Sequence, residues 1–87
     1  MGYTLYILKS KIKDRYYIGH TNNLERRLNE HNSGQTKSTK PYKPWVIVYT
    51  KVYQTKADAV KAENYLKAKK SKIFIDKLIS GDTSIAR

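Results

Sequence analysis

Hydrophobic and polar positions alternate from Tyr3 to Lys9, with Tyr3, Leu5 and Ile7 on one side and Thr4, Tyr6 and Leu8 on the other. A period of two marks a β-strand. Tyr16-Tyr17-Ile18-Gly19 gives a second, shorter strand signal. The polar connector Ser10-Lys11-Ile12-Lys13-Asp14-Arg15 suits a hairpin, so the two strands are expected to pair antiparallel. Trp45-Val46-Ile47-Val48-Tyr49-Thr50 is the strongest β signal in the chain. It is expected to be the central or best-buried strand, continuing towards Tyr53.

Between the second and third strands the period changes. At about 100° per residue, Leu24 and Leu28 mark a buried stripe about 40° wide, with His31 beside it and Arg27 about 60° from Leu24. Glu25, Arg26, Asn29 and Glu30 take the other side. Asn22 is expected to be the N-cap, with Glu25 completing a capping box, and Gly34 the residue that closes the helix. Gln35 to Pro44 reads as a polar, basic loop kept extended by Lys40-Pro41 and Lys43-Pro44. Thr55 caps a second helix, with Asp58 three residues later, that runs to about Lys70. Ser71 caps a third, Lys72 to Ile79, which Ser80-Gly81 stops; Asp82 to Arg87 is expected to be a loose tail. The order β-β-α-β-α-α predicts an α+β fold, a small three-stranded antiparallel sheet flanked by helices. Residues 1–87 read as one domain whose packed part covers about residues 3–79.

Charge narrows the partners. Eighteen Lys and Arg against seven Asp and Glu give a formal net charge of +11. So strong a positive field attracts polyanions, and nucleic acid is the expected partner. The basic residues are spread along the chain, which fits a folded surface better than a disordered tail. With no cysteine, a disulfide framework and a thiolate metal site are excluded. No apolar run approaches the roughly 20 residues of a membrane span, and Met1 to Tyr6 lacks the features of a signal peptide. A soluble, cytoplasmic protein with no membrane association is expected. The oligomeric state stays open, and a monomer suffices.

Polar groups on packed faces then become candidates for chemistry. Arg27 and His31, spaced i and i+4, point towards the side of the first helix that should be buried, where such groups need a partner or a function. Glu63 falls inside the apolar arc made by Ala59, Val60, Ala62 and Leu66 on the second helix. An inward carboxylate is either half of a buried salt bridge, with Arg27 as partner, or a ligand for Mg²⁺ or a similar hard cation. Tyr6 and Tyr17 either form a cross-strand aromatic pair or bring their hydroxyls to one spot with Arg27, His31 and Glu63. Gly19 permits a sharp strand-to-helix turn and close approach of the backbone.

In order, Thr4-Leu5-Tyr6, Tyr17-Ile18-Gly19, Arg27 and His31 on the next helix, and a Glu on a later helix resemble the GIY-YIG nuclease domain. The run Asn22-Asn23-Leu24-Glu25-Arg26-Arg27 and the Pro44-Trp45 step look like its small stand-alone bacterial members. Thr4 and Leu5 stand where the family has Gly and Ile, and no asparagine follows the second helix to match one that some members use. The resemblance implies a phosphodiesterase that hydrolyses DNA with Mg²⁺ or Mn²⁺, with little sequence specificity, in DNA repair or processing. Residue by residue, it implies that Glu63 holds the metal and that Tyr17 activates the attacking water. Arg27 would bind phosphate, and Tyr6 would help to order the site. His31 would accept a proton from Tyr17, the reading favoured here, or would bond a phosphate. Lys37, Lys40 and Lys43, with Lys9 and the Lys67-Lys69-Lys70 cluster, are expected to meet the DNA backbone or simply to solvate the surface. A binding module without cleavage, or a basic accessory protein of a larger complex, is the alternative.

Overall fold

The computed structural model describes residues 2–69 and 72–80. Strands β1 (Tyr3–Ser10) and β2 (Tyr16–Thr21) are followed by helix α1 (Leu24–Ser33) and a 3-10 turn (Lys40–Tyr42). Strand β3 (Trp45–Tyr53) and helices α2 (Lys56–Lys69) and α3 (Lys72–Ser80) complete the chain. The architecture is α+β in the order expected, with an antiparallel sheet. The expected cap at Ser71, the Gly81 stop and the tail from Asp82 lie outside the described residues.

The sheet order is β2-β1-β3, so β1 and not the Trp45 strand is central. Leu5, Tyr6, Ile7 and Leu8 are all buried, because β1 has neighbours on both edges and is covered on both faces. β3 pairs only with β1 in this sheet and leaves Val46, Ile47 and Val52 exposed. Its sequence reports a β-rich backbone, and hydrophobicity alone cannot tell an edge from a centre. The register between β1 and β3 steps from Ile7 opposite Tyr49 to Leu8 opposite Ile47, which leaves Val48 as the extra residue of a bulge.

Alternation along β1 divides the interior into two layers. Leu5 and Ile7 pack with Leu66 of α2 and Ile75 of α3. Tyr6 and Leu8 face the other way, onto Trp45, Tyr17, Leu24 and Leu28. Each fully buried aliphatic or aromatic side chain contributes about 1.5–3 kcal/mol.

Local chemistry sets the boundaries. Asn23, not Asn22, caps α1: its side chain accepts from the Arg26 amide, while Thr21 Oγ1 accepts from the Asn23 amide at 3.1 Å and fixes the turn. Gly34 takes the left-handed conformation (φ 84°) that ends α1, which a residue with a Cβ adopts only under strain. Thr55 caps α2 as expected, accepting from the Asp58 amide at 3.1 Å. The 35–44 loop is not extended. It winds into the 3-10 turn because its polar groups find partners in the body of the fold. Ser10 Oγ donates to the Tyr42 carbonyl at 2.6 Å, and Trp45 Nε1 donates to the Thr39 carbonyl at 3.0 Å. Asn32 grips the first residue of β3 from α1, accepting from the Trp45 amide at 2.6 Å and donating to its carbonyl at 3.1 Å.

Candidate active site

Tyr6 projects from central β1, and antiparallel pairing sets it opposite Gly19 of β2. Tyr17, two residues before Gly19, lies on the same face, and its ring centroid is 6.2 Å from that of Tyr6. Gly19 allows this approach. A Cβ there would stand 2.8 Å from the Tyr6 hydroxyl and 3.1 Å from the Tyr17 ring. The two tyrosines are therefore a cross-strand aromatic pair and also bring their polar ends towards α1.

α1 lays His31 and Arg27 over this pair. The His31 ring is 4.8 Å from the Tyr17 ring, centroid to centroid, and is fully buried. Its hydrogen bond runs to Tyr6, with 3.1 Å between Oη and Nε2, and not to Tyr17. Its other nitrogen, Nδ1, lies 2.8 Å from Thr39 Oγ1. Both ring nitrogens are thus occupied within the fold, which leaves neither free for a phosphate. Burial, reinforced by the Arg27 charge, lowers the His31 pKa below its usual 6.5, so the ring is neutral at pH 7.

Arg27 is only partly buried, and its guanidinium interacts with the hydroxyls of both Tyr6 and Tyr17. Nη1 also donates to Glu30 Oε1 at 2.9 Å. This carboxylate, from the side of the helix expected to face solvent, curls back over Arg27 and raises its pKa further against the cost of burial. The predicted Arg27–Glu63 salt bridge does not form. Burial pushes the Tyr6 phenol up to about 12, with Arg27 opposing the rise and the negative potentials of Tyr17 and Glu63 adding to it. Tyr6 consequently stays protonated and positions its neighbours.

Glu63 is inward-facing as expected, its side chain 14% exposed, but it belongs to the other layer. Alternation places His20 on the Leu5 and Ile7 side of the sheet, and His20 Nδ1 donates to Glu63 Oε1 at 2.6 Å. Lys67 Nζ, one turn further along α2, donates to Oε2 at 2.6 Å. Burial raises the Glu63 pKa, but these two donors outweigh it and hold the carboxyl below its ordinary value. Glu63 acts on Tyr6 through its charge, from across β2. A hollow of about 450 Å³ lies between the start of β2 and helices α2 and α3, with Tyr17, Ile18, Leu66, Lys67 and Ile75 in its wall; Tyr6, Arg27, His31 and Glu63 do not line it.

The structure thus gathers Tyr6, Tyr17, Arg27 and His31 into one cluster and keeps Glu63 on the far side of the same strand. Lys37, Lys40 and Lys43 are exposed on the loop that caps His31. Lys9 pairs with Asp14, Lys67 with Glu63, and Lys69 stacks over Tyr65 and Phe74. Sequence reasoning passed over three partners. His20 was within reach, since parity along β2 already set it towards the α2 layer. Glu30 and Thr39 carried no comparable signal, because a flexible side chain and a loop brought them in.

Among the described residues, no three His, Asp or Glu side chains are grouped to hold a metal, and no helix is long and apolar enough to cross a membrane. The GIY-YIG catalytic domain, as a family, matches residues 2–77. The chain is 35% identical over 75 residues to the UPF0213 protein YazA of Bacillus subtilis, covering 82% of this chain and 75% of that one. It is 42% identical over 53 residues to a UPF0213 protein of Bacillus cereus, 60% of this chain and 55% of the relative. The solution structure of a UPF0213 protein from Bacillus halodurans aligns with a TM-score of 0.58 at 31% identity, over 92% of this chain and 84% of that one.

Proposed function

The chain belongs to the GIY-YIG family of nuclease domains, and from that premise we propose that it is a divalent-metal-dependent endonuclease that hydrolyses DNA with little sequence specificity, in repair or processing. The observation that carries this reading is the meeting of Tyr6, Tyr17, Arg27 and His31 on one face, with the Glu63 carboxylate approaching the same strand from the other.

Each residue has a physical task in this reading. Arg27 receives the scissile phosphate. Its link to Glu30 is partly exposed and screened by solvent, so a phosphate can displace it. Tyr17, with its ring against His31, would take the proton of the attacking water. Tyr6 and His31, buried and hydrogen-bonded, hold Tyr17 and Arg27 in place. Glu63 is the carboxylate that would hold Mg²⁺ or Mn²⁺. A hard cation that keeps most of its waters and takes phosphate oxygens needs only one such ligand, and half-exposed Lys67 is the partner it would displace. Bound there, the ion would neutralise charge developing on the phosphate and the leaving oxygen.

One observation favours a binding module without cleavage: both Glu63 oxygens are already hydrogen-bonded, by His20 and Lys67. Cleavage of labelled single-stranded, duplex, nicked and branched DNA with Mg²⁺, with EDTA, and by Glu63→Ala decides between the two. Metal-dependent cutting lost in Glu63→Ala supports the enzyme. Equal cutting by both proteins, or binding without cutting by the wild type, leaves a binding module.

A further inference from the structure

Thr39 sits in the loop between α1 and β3 and is 1% exposed. Its side-chain oxygen has two partners, the Thr36 carbonyl at 3.3 Å and His31 Nδ1 at 2.8 Å. A carbonyl only accepts, so the Thr39–Thr36 bond uses the threonine proton. With that proton so used, its oxygen accepts from His31, and the imidazole proton sits on Nδ1. That leaves Nε2 bare, and at 3.1 Å it accepts the Tyr6 phenol proton. One order of donors and acceptors satisfies all three bonds: Tyr6 to His31, His31 to Thr39, Thr39 to Thr36. With its proton pointing at His31, the Tyr6 oxygen presents lone pairs to Arg27, which can only donate.

We propose that Thr39 is a positioning residue of the candidate site, selecting the His31 tautomer that turns the Tyr6 oxygen towards Arg27. With the other tautomer, Nε2–H would occupy one lone pair of the Tyr6 oxygen and free the phenol proton to turn towards the guanidinium, donor against donor. The Thr39 carbonyl also receives the Trp45 indole, so the same residue ties this polarity to the fold of the loop. The part of the inference that concerns catalysis rests on the nuclease reading; the part that concerns the tautomer does not.

Nitrogen-15 NMR of labelled protein at neutral pH reads the tautomer directly, and only two histidines need assignment. The expected result is His31 protonated on Nδ1 in the wild type and in Thr39→Ser, and a shift towards the Nε2-protonated form in Thr39→Val. In DNA cleavage, Thr39→Val is expected to lower kcat about tenfold (~1.4 kcal/mol of lost transition-state stabilisation) with KM nearly unchanged, and Thr39→Ser to restore it. An Nε2-protonated His31 in the wild type, or an unchanged His31 spectrum in folded Thr39→Val, overturns the proposal. Should Thr39→Val fail to fold, Thr39→Ala, which also lacks the hydroxyl, takes its place in the comparison. A wild type that never cuts DNA sinks the nuclease reading and leaves the tautomer result standing.

Discussion

His31 is buried and Glu63 partly buried, and these two titratable groups make stability respond to pH in different windows. The folded-state pKa of His31 lies below its unfolded value of 6.5, because burial and then Arg27 disfavour the charged ring. A depressed pKa gives stability that is present above the unfolded value and lost as pH falls towards the folded one. Urea unfolding is therefore expected to show stability falling as pH drops below 6.5, and His31→Gln is expected to flatten that decline. Glu63 is depressed below 4.5 because His20 and Lys67 outweigh the cost of burying it. Its contribution is lost only as pH falls below 4.5, and Glu63→Gln should remove that second, more acidic step while leaving the first. A His31→Gln curve as steep as the wild type between pH 6.5 and 5 would show that the ring is not held neutral. The inward placement of both residues was legible from helical periodicity, which needs only an angle per residue. Their partners were not, since Thr39 reaches His31 from the following loop and His20 reaches Glu63 from a different strand.

Among the elements, β1 holds both layers together and β3 lies at the rim. Truncating Leu8, fully buried, to Ala is expected to cost about 2–5 kcal/mol. Val52→Ala, at a residue 69% exposed on β3, should fall within about 0.5 kcal/mol of the wild type. Denaturant midpoints at constant m-value measure both, and comparable losses at the two sites would contradict the sheet order. The mistaken expectation for β3 has a clear origin. Val, Ile, Tyr and Trp all favour extended backbone, so the run Trp45–Tyr49 predicts a strand. Whether a strand is central depends on what pairs on its second edge, and for β1 both neighbours lie further along the chain. The placement of the α1 cap one residue late at Asn23 has a similar cause. Asn22 and Asn23 can both cap, and the buried Thr21 hydroxyl, bonded to the Asn23 amide, selects between them.

Over the whole molecule, the net charge of +11 sets how DNA would bind. Several lysines are engaged by Asp14, Glu63 or aromatic rings, whereas Lys37, Lys40 and Lys43 stand exposed on the loop that closes over His31. Replacing these three by Gln is expected to weaken duplex binding and to reduce the log-log salt slope by about 0.9 for each phosphate contact removed. Fluorescence anisotropy across a salt series measures it. An unchanged slope would move the phosphate-binding surface elsewhere on the molecule. The loop's basic character was readable in the sequence, but its folded path was not, because Ser10, Trp45 and His31 all contribute to holding it.

The sequence by itself determined the order of strands and helices, the inward faces of α1 and α2, and the family to which the chain belongs. These rest on period, capping chemistry and ordered motifs, which act over a few neighbouring residues. The tertiary structure decided which strand lies at the centre and that His31 bonds Tyr6 rather than Tyr17. It also decided that Glu63 pairs with His20 and Lys67, and that Thr39 stands behind the histidine. Except for the Lys67 bond along α2, these depend on contacts between segments distant in the chain, where a few ångströms settle which donor meets which acceptor.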